Sequence, residues 1–87
     1  MKLIFCRNCQ SLVKLNMSLK YCECKKSYGR YIDDLNAEYS GPAIPIGIAN
    51  QSFLDAYYKH NALRTHKEGI EFKAFFISDN CSSFKRK

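Results

Sequence analysis

The stretch CRNCQSLVKLNMSLKYCEC, residues 6–24, holds Cys6, Cys9, Cys22 and Cys24, four of the chain's five cysteines. They are arranged as C-x2-C, twelve intervening residues, then C-x-C. At 87 residues a single domain buries only about 60–65% of the surface that its unfolded chain exposes. Chains this small are usually held by disulfides, a metal or oligomerisation, so the cysteines bound the problem before any other residue does.

The expected compartment decides which of these applies. MKLIFCRNCQ carries one lysine and a three-residue apolar run before Cys6, too short for the apolar core of a signal peptide. No window reaches the ~18 consecutive apolar residues of a membrane span. A cytoplasmic protein is expected, with no membrane partner, and there thiols stay reduced. Five cysteines also cannot all pair within one chain. The cluster therefore points to a metal rather than to a disulfide framework.

Two paired-cysteine turns, each entered from a strand, can bring four thiolates to one tetrahedral point at Zn–S distances of ~2.3 Å. The twelve residues between the pairs suit an intervening hairpin. The expected ligands of a zinc ion are Cys6, Cys9, Cys22 and Cys24, with Arg7, Lys25 and Lys26 nearby to offset the excess negative charge. C-x-C is the tighter spacing, which leaves Cys81 as an alternative fourth ligand. A redox reading of CRNC needs the first thiol at a helix N-terminus, and QSLVKL reads instead as a strand. Buried free cysteines are a third account, and the paired spacing argues against it.

CRNC with CEC resembles the zinc-ribbon family of small prokaryotic and phage proteins, over about the first 30 residues. That resemblance implies a metal site. Zinc ribbons serve transcription, translation, nucleic-acid binding and protein docking alike, so it implies little about the partner. The chain departs from the family at C-x-C and in lacking a glycine after either cysteine turn.

The expected fold class is α+β: a small zinc-ribbon-like β-hairpin module extended by further antiparallel strands and one α-helix, as one domain over 1–87. KLIF, SLVKL, LKYC, residues 28–33 and AEYS read as strands, with turns at Asn16–Ser18 and at DLN, residues 34–36. GPAIPIGIAN carries both prolines, which argues for an ordered loop and against a central strand. SFLDAYYKHN reads as a helix capped by Ser52 with Asp55 three residues on. A polar connection over 61–69 leads to IEFKAFFISD, apolar on both faces and expected to be a central strand. CSSFKRK reads as a tail that Cys81 and Phe84 either pin or leave free.

The formal net charge is +6; four thiolates and one divalent ion bring the metal-bound protein near +4. Lysines and arginines concentrate before residue 31 and after residue 58, with only acids between. The expected function is a non-catalytic zinc-binding adaptor or regulator, encoded by a phage or mobile element, that binds a protein through Ile44, Ile46 and Ile48. The alternative is nucleic-acid binding, with Lys25, Lys26 and Arg30 on phosphates and Tyr21, Tyr28 and Tyr31 stacking on bases. Catalysis has no positive support. His60 and His66 read as solvent-facing, Asp33 and Asp34 face opposite sides of a strand, and Cys81 has no orienting partner.

Overall fold

A computed structural model describes residues 1–63, 69–78 and 80–87. Among these residues the chain forms eight strands and one helix. The strands are β1 (Lys2–Cys6), β2 (Leu12–Lys14), β3 (Lys20–Tyr21), β4 (Tyr28–Tyr31), β5 (Ala37–Ser40), β6 (Ala43–Ile48), β7 (Ala74–Phe76) and β8 (Phe84–Arg86), and the helix is α1 (Asn50–Ala62). One sheet has the order β2-β1-β6-β7 and is antiparallel throughout; the other, β3-β4-β5-β8, ends in a parallel β5·β8 pair. The α+β class expected from the sequence is therefore corrected: the protein is mostly β, two four-stranded sheets with one helix.

The correction turns largely on residues 43–48, expected as a loop and found as β6, inside the first sheet between β1 and β7. Both prolines are accommodated by the pleat. Ile48 N–H donates to Met1 O and Arg7 N–H to Pro42 O, so even-numbered residues face β1. Ile77 N–H donates to Pro45 O, so odd-numbered residues face β7. Pro42 lies one residue before the strand, and the amide that Pro45 lacks faces β7 where that strand has ended at Phe76. Neither proline leaves a gap inside a ladder, which removes the usual objection to proline in a strand.

Alternation along β1 and β6 separates two faces. Ile4, Val13 and Ala43 turn inward to meet Leu15, Ala37, Tyr39 and Phe84. Phe84 and Ile4 are fully buried, and Tyr39 meets Phe84 edge to face at 5.3 Å. The C-terminal segment is thus pinned by a buried aromatic and by the parallel ladder to β5. Cys81 is half-buried against the same cluster. The opposite face of the first sheet carries Phe5, Leu12, Ile44, Ile46, Ile48 and Phe76, with Lys14 at its margin.

Three further expectations change. The hairpin placed between the cysteine pairs does not form, because β2 pairs with β1 and β3 with β4, in different sheets. Ser52 does not cap α1: Ala49 is the N-cap without a side-chain bond, and Ser52 Oγ accepts the Lys73 N–H at 2.7 Å. IEFKAFFISD yields only the three residues of β7, at an edge of the sheet. Phe72 of that segment packs on Phe53 of α1 at 4.9 Å, so its apolar residues are shared between helix and sheet. His66, in the polar connection expected over 61–69, lies outside the described residues. No helix among the described residues is long and apolar enough to cross a membrane.

Candidate metal centre

Each cysteine pair sits in the turn of its own hairpin, and the two turns are built alike. Cys6 N–H donates to Ser11 O and Cys22 N–H to Ser27 O, both at 3.0 Å, so each turn closes on a serine five residues after its first cysteine. The C=O of Cys6 accepts from Gln10 N–H at 2.8 Å, and that of Cys22 from Lys25 N–H at 3.0 Å. Gln10 and Lys25, each following the second cysteine of its pair, have φ of 61° and 64°. A left-handed residue costs about 1–2 kcal/mol when it is not glycine, so both turns hold strain at a position where the chain has no glycine. The sequence signal for this symmetry is C-x4-S, written CRNCQS and CECKKS. Cysteine spacing alone does not reveal it, because the repeat lies in the serine that follows each pair.

The two turns converge. The sulfur atoms of Cys6, Cys9, Cys22 and Cys24 all lie within 4.8 Å of one another. Cys6 and Cys24 approach to 3.7 Å, and Cys22 and Cys24 to 3.4 Å. Four thiolates about a zinc ion at ~2.3 Å form a tetrahedron with edges of about 3.8 Å, which these separations bracket. Cys6 and Cys22 are buried; Cys9 and Cys24 are half-buried. The four cysteines can hold a metal ion. Cys81 lies outside the group, beside Ser83 Oγ at 3.4 Å, so the fourth sulfur is that of Cys24.

Polar groups surround the sulfurs as a thiolate cluster requires. The fully buried Ser27 hydroxyl has no hydrogen-bond partner at normal contact distance, yet it sits near enough to Cys6 to be the largest influence lowering that thiol's pKa; burial opposes it, and the Cys9 and Asn8 backbone amides support it. Ser11 Oγ lies 3.0 Å from Cys9 Sγ and is the main cause that brings that thiol down to about 5, with the Cys24 backbone amide second. At Cys24 the Asn8 side chain pulls downward most strongly. Burial and the neighbouring sulfurs of Cys22 and Cys9 nonetheless leave its pKa raised. The Ser27 N–H also donates to Cys22 Sγ at 3.3 Å. An orphaned, buried hydroxyl beside an acceptor sulfur fits a site built for thiolates.

One crossover ties the two turns together. Gly41 has φ +91° and packs so closely on the second turn that an added Cβ would meet Lys26 O at 2.0 Å. The next residue, Pro42, accepts from Arg7 N–H in the first turn at 2.8 Å. Arg86 holds the crossover from behind, donating to Gly41 O at 2.7 Å and Ala43 O at 2.8 Å. β8 thus braces the crossover that links the two cysteine turns.

The remaining expected contact residues fall on two faces. Ile44, Ile46 and Ile48 are half-buried on the apolar face of the first sheet. Lys25 and Lys26 are exposed on the second turn, whereas Arg30 is joined to Glu38 at 3.3 Å. Tyr21 and Tyr28 stack at 5.2 Å on the outer face of the second sheet. Tyr31 instead packs against the core, its hydroxyl accepting the Lys2 N–H at 3.0 Å. The chain matches no protein-family model, no curated protein and no solved structure.

Proposed function

We propose that this is a non-catalytic, zinc-binding protein whose four-cysteine site joins its two sheets and whose apolar sheet face docks another protein. Zinc is the metal of choice because four close thiolates are soft, compact donors. A closed set of four protein ligands leaves no open position for substrate. This reading keeps the zinc-ribbon resemblance of the cysteine segment as a likeness of the metal site alone.

The docking part rests on one contrast between the two outer faces. That of the second sheet is mixed and polar, with Tyr28, Arg30, Glu38 and Ser40 in register. That of the first sheet is apolar, with Leu12 59% and Phe76 71% exposed on either side of Ile46. Leu12, Ile46, Ala74 and Phe76 line a shallow depression of about 290 Å³ on it, with Phe75 at its edge. Uncovered apolar patches of this kind mark interaction sites in soluble proteins. Nucleic-acid binding through Lys25, Lys26 and Arg30 is the competing reading, and the Arg30–Glu38 pair weakens it.

The test pairs two variants on samples whose zinc content and circular dichroism match wild type. Ile46→Ser with Ile48→Ser should weaken capture of the protein partner by tenfold or more, and the triple change of Lys25, Lys26 and Arg30 to alanine should leave it within twofold. A steep log-linear loss of affinity with salt, relieved by the triple change, would replace this reading with the nucleic-acid one.

A further inference from the structure

We infer that β7 is a self-association edge, at which a second copy of the chain adds its own β7 in antiparallel register. β7 is the last strand of its sheet. Lys73 O and Ile77 N–H are bonded to Ala49 and Pro45, so residues 73, 75 and 77 face β6. Alternation turns the backbone N–H and C=O of Ala74 and Phe76 outward, and no described residue pairs with them. The edge is an unfilled hydrogen-bonding template.

Charge singles this edge out. Among the described strands at sheet edges, β2 carries Lys14, β3 carries Lys20, and β8 carries Lys85 and Arg86, while β7 carries no charge. Charged side chains, lysine above all, are the usual means of blocking edge pairing. For a chain of net charge +6, a neutral edge is also where two copies approach with least repulsion.

The strand complements itself, which is why the occupant is a second copy. A two-fold axis at Phe75 sets Ala74 opposite Phe76 of the other copy, and Phe76 opposite Ala74, so both pairs exchange two hydrogen bonds. On the outer face the small alanine leaves room for the opposing ring. On the inner face the two Phe75 rings meet as a close cross-strand pair. Phe75 and Phe76 are 46% and 71% exposed, about 230 Å² of ring surface per protomer at ~200 Å² for a whole aromatic side chain. Two such ring surfaces with the four edge hydrogen bonds make a contact at or below the low end of specific interfaces, as expected of a weak, reversible dimer.

The experiment is sedimentation velocity on the zinc-loaded protein from 5 to 500 µM, with amide exchange followed by NMR over the same range. The expected result is a monomer–dimer equilibrium in which the Ala74 and Phe76 amides become protected as concentration rises. Phe76→Lys, at a side chain outside the core, should weaken dimerisation at least tenfold with zinc content and circular dichroism unchanged. Ala74→Pro, which removes an outward N–H and no bond to β6, should do the same. A monomer throughout the range overturns the inference. So does a dimer whose Ala74 and Phe76 amides stay unprotected, or one that either variant leaves intact.

Discussion

Replacing Gly41 with alanine tests the claim that the crossover holds the two cysteine turns together. The new Cβ would lie 2.0 Å from Lys26 O and 2.7 Å from Ser27 Cα, against the ~3.5–4.0 Å of ordinary non-bonded contact. The obstacle is backbone rather than the end of a flexible side chain, so the Lys26–Ser27 segment must retreat by about 1 Å or more. A φ of +91° adds about 1–2 kcal/mol of strain for alanine. Metal constellations tolerate displacements of only ~0.5 Å, and Ser27 carries both the N–H on Cys22 and the hydroxyl beside Cys6. We expect zinc affinity to fall about 100-fold, or ~2.8 kcal/mol at 1.4 kcal/mol per decade. The assay is competition against a chromophoric chelator under reducing conditions, with circular dichroism on the same samples. Gly69→Ala is the internal control: φ is +82° there but no described residue lies within 4 Å of the added carbon, so stability drops by about 1–2 kcal/mol while zinc affinity is unchanged. Wild-type zinc affinity in Gly41→Ala would refute the reasoning.

Cys24→Ser should lower zinc well below one ion per chain by elemental analysis and destabilise the N-terminal sheets, whereas Cys81→Ser should retain it fully. Gln10→Gly and Lys25→Gly should each relieve about 1–2 kcal/mol of left-handed strain against ~0.5–1 kcal/mol of added unfolded-state entropy, giving a small net gain in thermal stability with zinc retained. Asp33 accepts from the Leu35 and Asn36 backbone amides at 2.9 and 2.8 Å; the Asn36 side chain first, then these amides, hold its pKa below the ordinary 3.8. Its folded pKa lies below its unfolded one, so it contributes stability that is present above pH ~4 and lost as pH falls through the lower value. NMR titration should find that low pKa, and Asp33→Ala should flatten the acid limb of the stability curve.

Much of the chemistry was legible because it is written within a few residues. The four cysteines that meet, the Asn16 turn and most of the strands follow from local spacing and turn residues, whose preferences do not depend on what packs above them, whereas Asp33, expected on a strand, accepts the Leu35 and Asn36 amides of the turn that follows β4. What tertiary structure decided is who pairs with whom. Residues 43–48 look unfit for a strand until their neighbours are known, because a proline costs a ladder bond only if its missing N–H faces a partner; here β1 and β7 stop where Pro42 and Pro45 would have donated. The segment between the cysteine pairs has the length of a hairpin, yet β2 and β3 gain more by pairing with β1 and β4, across turns that the cysteines themselves shape. Apolar residues on both faces of 70–77 suggested a central strand, but that alternation records burial without saying by what, and α1 claims Phe72 while the sheet takes Ala74–Phe76. Ser27 is one polar residue among many in the sequence. It becomes part of the metal site only when Cys6, 21 positions earlier, is folded against it, because a hydrogen bond is local in space and not along the chain.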